Sequence, residues 1–221
     1  MRAKDLINYT IPPLKVTDKI EKALEWMREL HVHELPVVED GKFLGLFNEN
    51  LFIDVKADAE VVGDFQLISS HLFVNQDEHY YEVLKKAYDA SSNLVAVVKE
   101  DNTYIGSVTI QDVVEAFSKM SSIHSPGTII VLGMPASEYS MTEIGRIVES
   151  ENGKILSSFV EQIEEDQDRI RVTIKINLDT ANPIVSAFER YGYTVASIFG
   201  KENDNDLDKE RLDTLMRYLK I

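Results

Sequence analysis

One pattern occurs twice in this chain, about 60 residues apart, and it restricts the fold more than any other feature. In the first copy Ile20, Ala23, Leu24, Met27 and Leu30 recur at helical spacing behind Thr17-Asp18, a pair suited to capping a helix. Leu35-Pro36-Val37-Val38, the Asp40-Gly41 turn and Phe43–Phe47 then read as strand, tight hairpin and strand. In the second copy Asp77-Glu78 opens a helix with Tyr80, Val83, Leu84 and Ala87 on one face. Leu94–Val98 and Tyr104–Val108 follow as strands around a polar turn. Each glycine-bearing strand leads into a further helix, near Asn48 and at Ile110–Phe117. A helix with two short strands cannot bury both faces of its sheet alone, so the two copies are expected to pack on each other.

The chain carries no cysteine, which removes disulfides, thiol nucleophiles and thiolate metal sites. No apolar stretch approaches the roughly 18 residues of a membrane span, and Met1–Asp5 runs into a mixed segment unlike a secretory leader, so no export signal is expected. A cytoplasmic protein with no membrane partner is expected. The net charge of −15 is shared by both halves, and no basic face offers itself to phosphate backbones. Nucleic acid is therefore excluded as the expected partner.

The two copies, and in particular Gly106-Ser107-Val108-Thr109-Ile110-Gln111-Asp112, resemble a tandem pair of CBS domains, a Bateman module. The likeness covers roughly the first 120 residues, divided as 1–62 and 63–122. By its residues alone, Thr109 ends a strand and caps a helix, with Asp112 three positions on. The pair is either an ordinary N-cap with a first-turn acid or the polar edge of a ligand site, because a carboxylate can accept both hydroxyls of a ribose. The resemblance implies the second: Asp112 on ribose hydroxyls, Thr109 near ribose or phosphate, and adenine among strand backbone atoms. Ser107, Val108, Thr10, Ile11 and His33 would complete the lining. The ligands implied are adenosine, AMP, ATP or S-adenosylmethionine, with no cofactor required. In the first copy Asn48 and Leu51 stand where Thr109 and Asp112 do, and leucine cannot accept a hydroxyl. One nucleoside per chain is expected. Glu34, next to His33, would repel a phosphate by roughly 1–4 kcal/mol, which favours adenosine or an adenosyl compound over ATP.

Beyond a linker at 118–127 the pattern changes. Thr128–Leu132 reads as a strand, Ser140-Met141-Thr142-Glu143 as a capping box, 154–163 and 169–176 as paired strands, Thr180-Ala181-Asn182-Pro183 as a helix start with Val185, Phe188 and Tyr191 inward, and Tyr193–Phe199 as a last strand. The order βαββαβ fits a ferredoxin-like sandwich at 127–200. Behind a CBS pair it is similar to an ACT domain, as in acetoin-utilisation-type CBS–ACT proteins. Residues 201–221 read as an acidic loop and a C-terminal helix. The fold class is thus α+β: a tandem CBS pair, an ACT-type domain and a terminal helix.

His31-Val32-His33 and Asp204-Asn205-Asp206 invite metal readings, but neither has ligand spacing, so no metal site is expected. No catalytic motif occurs, and no enzyme activity is expected. The ACT-like segment lacks an Asp-x-Pro-Gly turn; it has Gly133–Ser140 instead, with Glu138 unfavourable to a substrate carboxylate. The reading preferred is a homodimeric, non-catalytic sensor with an adenosyl ligand and a regulated partner protein; the alternatives are a constitutive protein-assembly module with an empty cleft and an amino-acid sensor through the ACT-like domain.

Overall fold

The computed structural model describes residues 1–52, 59–119, 121–164 and 166–200, divided into two compact units, Met1–Lys119 and Met120–Ile221. Each has its own hydrophobic core. The expected C-terminal helix and acidic loop at 201–221 lie outside the described residues.

In the first unit helix α1 (Ile20–Leu30) precedes the hairpin β1 (Glu34–Glu39) and β2 (Lys42–Asn48). Strand β3 (Phe73–Asn75) and helix α2 (Tyr80–Ala90) precede the second hairpin, β4 (Leu94–Val98) and β5 (Tyr104–Thr109), which runs into α3 (Ile110–Ser118). The copies agree in detail. Leu14 bridges Val37 in parallel, as Val74 pairs with Val97, and both hairpins carry an irregularity one residue further on. Both helices end on a left-handed residue, His31 and Ser91, whose N–H turns back to the Met27 and Ala87 carbonyls. The Asp40-Gly41 turn takes positive φ at both residues, 49° and 75°, the geometry a two-residue hairpin needs.

Several starts differ from the sequence expectation. Helix α1 begins at Ile20 without a side-chain cap; Asp18 instead accepts the Lys15 N–H at 2.8 Å and pairs with Lys22 at 2.7 Å. Helix α2 is capped by His79, not by Asp77, which pairs with Arg2 and Lys4 from the chain start. After β2 the chain makes a 3₁₀ turn at Glu49–Phe52; the rest of the expected helix falls outside the described residues.

The copies also exchange their lead-in segments. The Asn8 N–H donates to the Ser107 carbonyl at 2.9 Å, so the first copy's lead-in lies on the second copy's β5. In the mirror contact, Leu46 of β2 and Ile68 exchange backbone bonds of 2.8 and 3.1 Å. These crossings explain the two strand glycines. A Cβ on Gly106 would lie 2.3 Å from Ile7 Cγ2, and one on Gly45 would lie 2.8 Å from the Ile68 carbonyl oxygen.

Where the hairpins meet, the Tyr104 N–H donates to the Gly41 carbonyl and the Tyr104 ring stacks on Phe43 at 6.4 Å. Burial pushes the Tyr104 hydroxyl up to about 12, against a weaker downward pull from its 2.9 Å hydrogen bond with Ser107 Oγ. In the unfolded chain the group titrates near pH 10, so there the unfolded state loses the proton first. Stability is full below pH 10 and falls as pH rises toward 12. Unfolding free energies from urea titrations across this window should fall by up to about 2.7 kcal/mol more in the wild type than in Tyr104→Phe.

The second unit begins with the four-residue helix α4 (Ser121–His124), followed by β6 (Thr128–Pro135), α5 (Met141–Ser150), β7 (Ile155–Ile163), β8 (Asp166–Ile176), α6 (Asn182–Arg190) and β9 (Thr194–Phe199). The sheet order β7-β8-β6-β9, antiparallel throughout, is that of a ferredoxin-like sandwich. Ser140 caps α5 by accepting the Glu143 N–H, which is one half of the expected capping box; the Glu143 carboxylate binds Arg146 instead of closing the other half. On α6 the inward residues are Ile184, Ala187 and Phe188. Tyr191 falls at the C-cap, half exposed, and not on the buried face expected of it.

Candidate functional site

Thr109 has extended backbone at the end of β5, and its hydroxyl accepts the Asp112 N–H at 3.1 Å, closing the first turn of α3. Asp112 Oδ2 answers by accepting the Thr109 N–H at 2.8 Å and its hydroxyl at 2.6 Å. The pair is therefore a full capping box. The other carboxylate oxygen, Oδ1, accepts the Asn8 side-chain amide at 2.9 Å. Asn8 is fixed in turn by its own Oδ1, which accepts both the N–H and the hydroxyl of Thr10. The exchanged lead-in thus brings a polar edge from one end of the chain to the helix start of the second copy.

Around this point lies a cavity of about 650 Å³. Thr10, Ile11, His33, Thr109 and Asp112 all line it, so five positions scattered from 10 to 112 converge. The expectation fails at Ser107 and Val108. Both are fully buried; the Ser107 hydroxyl bonds Tyr104, and the Val108 side chain belongs to the core. Adjacent on the strand, they point to opposite faces, and each face is already covered: Ser107 by Tyr104 and the Asn8 lead-in, Val108 by the core. Asn8 is a lining residue that the sequence expectation left out of the site, and Glu34, expected there only as a charge facing a phosphate, lines it too. The Asn8-Tyr9-Thr10 spacing is a recognisable local turn signal, but its target, Asp112, is not local.

The left-handed cap at His31 brings the segment 31–34 to the cavity wall. His33 Nδ1 lies 2.8 Å from Glu49 Oε1, with both side chains largely exposed. Glu34 is 5% exposed. Its Oε1 accepts the N–H groups of Asn93 at 2.8 Å and Leu94 at 3.1 Å, and the Ser92 hydroxyl as well. In the mirror position of the first copy, Asn48 Oδ1 accepts the Asn50 N–H, and half-buried Leu51 packs against the core. No carboxylate replaces Asp112 there.

The second unit has a smaller cavity of about 310 Å³, bordered by Glu138, Glu143, Arg169 and Tyr193. Glu143 holds Arg146 through contacts of 3.1 and 2.6 Å. Among the described residues no group of three or more histidines and carboxylates could hold a metal ion, and no helix is long and apolar enough to cross a membrane.

Two helix–strand–strand copies that exchange lead-ins beside a polar cavity define a paired-repeat module. A family model for the CBS domain matches residues 3–56 and again 62–119, just over half the chain. The chain belongs to the CBS-domain family. Among solved structures it is similar to a CBS domain pair/ACT domain protein from Thermotoga maritima, at 23% identity over 53% of this chain and 96% of that one, TM-score 0.47. It is also similar to the protein CBSX2 in complex with AMP, at 22% identity over 52% of this chain and 95% of that one, TM-score 0.46. A third is the CBS domain pair of protein MJ0100 in complex with 5′-methylthioadenosine and S-adenosyl-L-methionine, at 20% identity over 53% and 96%, TM-score 0.43.

Proposed function

We propose that the chain is a non-catalytic regulatory protein whose CBS pair binds one adenosyl ligand in the 650 Å³ cavity. The observation that carries this is the convergence of Asp112, Thr109 and the lead-in residues Asn8–Ile11 on one opening of nucleoside size. A carboxylate has about four acceptor positions, and three donors already use Asp112. A ribose would keep the two capping bonds and take the place of the Asn8 amide on Oδ1. The amide so released would be free to turn toward the ligand. Binding and the position of the lead-in are thereby coupled, and the lead-in joins the two copies. A regulatory change follows if the ligand prefers one lead-in position over another.

For the second unit we infer an ACT-type domain. Edge strands β7 and β9 carry half-exposed Phe159 and Phe199, which supports association into a homodimer; a cytoplasmic location and a regulated partner protein belong to the same proposal. The acidic rim of its small cavity, Glu138 and Glu143, weighs against an amino-acid carboxylate.

The test is a thermal-shift panel of adenosine, AMP, ATP, S-adenosylmethionine and amino acids on the wild type and Asp112→Asn. The asparagine retains an acceptor for the Thr109 cap but cannot accept two hydroxyls. A ligand at 100 times its Kd adds about 2.7 kcal/mol to the wild type, and the variant should lose that shift. A nucleoside shift that survives in Asp112→Asn would place the ligand elsewhere. No shift from any nucleoside would leave an assembly module, and a shift from an amino acid alone would move the site to the second unit.

A further inference from the structure

We infer that Glu34 makes the cavity selective for a nucleoside without a 5′-phosphate, an inference that rests on the adenosyl reading of the site. A bound phosphate needs converging N–H or hydroxyl donors, or cationic side chains. The cavity wall does contain such a donor set: the N–H groups of Asn93 and Leu94, with the Ser92 hydroxyl beside them. All three point at one oxygen of Glu34, which already occupies the place an anion would take. The protein thus supplies its own carboxylate where a nucleotide would need its phosphate seated.

Two further N–H groups near this wall are spent as well. At the start of α3 the Ile110 N–H donates to the Asn93 carbonyl at 3.0 Å, and the Asp112 N–H donates to Thr109. Among the described residues no lysine or arginine lines the cavity, whereas Glu34, Asp112 and Glu115 do. Glu115 is paired with Lys119 at 2.5 Å, whereas Glu34 and Asp112 are held by neutral donors with no cationic side chain against them among the described residues. Of the two histidines in the wall, His33 is held by Glu49. A second anion brought into this space meets repulsion at low effective dielectric, where two like charges a few ångströms apart weaken binding at least about tenfold. A neutral or cationic 5′ group meets none. The sequence repeat points the same way, because Glu34 has Leu94 as its counterpart 60 positions on. The charge was placed in one copy only.

Isothermal titration of the full chain with adenosine, AMP and 5′-O-sulfamoyladenosine, an uncharged mimic of AMP, tests this on the wild type and Glu34→Gln. Glutamine retains an acceptor oxygen for the Asn93 and Leu94 N–H groups and removes the charge. The wild type should bind adenosine and the sulfamate within about threefold of each other and AMP at least tenfold more weakly, and Glu34→Gln should bring AMP to within threefold of adenosine. AMP binding to the wild type as tightly as adenosine overturns the inference and leaves the adenosyl site standing. A sulfamate excluded as strongly as AMP assigns the exclusion to size and overturns it too; this arm needs no variant. A gap that persists in a folded Glu34→Gln removes Glu34 from the role. Failure of all three compounds to bind either protein overturns the adenosyl reading itself, and this inference with it.

Discussion

Replacing Phe188 by alanine should cost the second unit about 3–5 kcal/mol and leave the first unit intact. Phe188 is the largest fully buried side chain of that unit, with no exposure, and its ring meets Tyr193 edge-on at 5.6 Å. It projects from α6 onto the sheet among residues such as Ile130, Leu132, Ile147 and Ile174. A close-packed site of this kind relaxes only in part after truncation, so the lost transfer energy is joined by a cavity cost. The two cores share no residue, so the damage should be confined. Amide hydrogen exchange read by peptide is the measurement. Peptides across 128–199 that exchange through global opening should exchange roughly 150- to 5,000-fold faster, and those within 1–119 should keep their wild-type rates. Equal acceleration in both would mean that the units unfold together.

Gly106→Ala is expected to combine a stability loss with loss of the site. The new Cβ would lie 2.3 Å from Ile7 Cγ2, and the backbone φ of 156° is one that residues with a side chain rarely adopt. Overpacking and backbone strain each cost about 1–3 kcal/mol, so about 3 kcal/mol is expected in all. The relief available is for Ile7 to move off β5. The next residue, Asn8, carries both the backbone bond to Ser107 and the side-chain bond to Asp112, so that movement draws the lead-in away from the cavity. Adenosine affinity should fall at least tenfold. The same substitution at Gly41, where an added Cβ meets nothing within 4 Å but φ is 75°, strains the turn that Tyr104 bonds to, outside the cavity lining, and should leave ligand affinity unchanged. Should Gly106→Ala bind adenosine like the wild type, the lead-in would have no part in the site.

What could be read from the sequence was local or periodic. The repeat announced itself through helical spacing and two hairpins in matching register, because both depend on residues within a dozen positions of each other. The Asp40-Gly41 turn, the Thr109–Asp112 box and the Ser140 cap were legible for the same reason: each interaction spans a few residues and needs a particular side chain. The βαββαβ order at 127–200 followed from alternation, and the sheet order then admitted few choices.

The tertiary structure decided what lies far apart in the chain. Nothing near Gly106 announces that Ile7 will cross it, and nothing near Asp112 names Asn8 as its partner 104 positions away. Strand β3 is three residues long and carries no alternation to detect; it exists because β4 offers it an edge. Ser107 and Val108 were expected in the lining on motif position, yet Tyr104 and the lead-in cover one and the core covers the other, which leaves the opening to Thr109 and Asp112. Glu34 read as a charge beside a cleft, and only packing showed its carboxylate seated on the N–H groups of the other copy. Short-range hydrogen bonds and periodic burial are written into neighbouring residues. The exchange of lead-ins depends on how two similar surfaces fit, and that fit is settled only when both are folded.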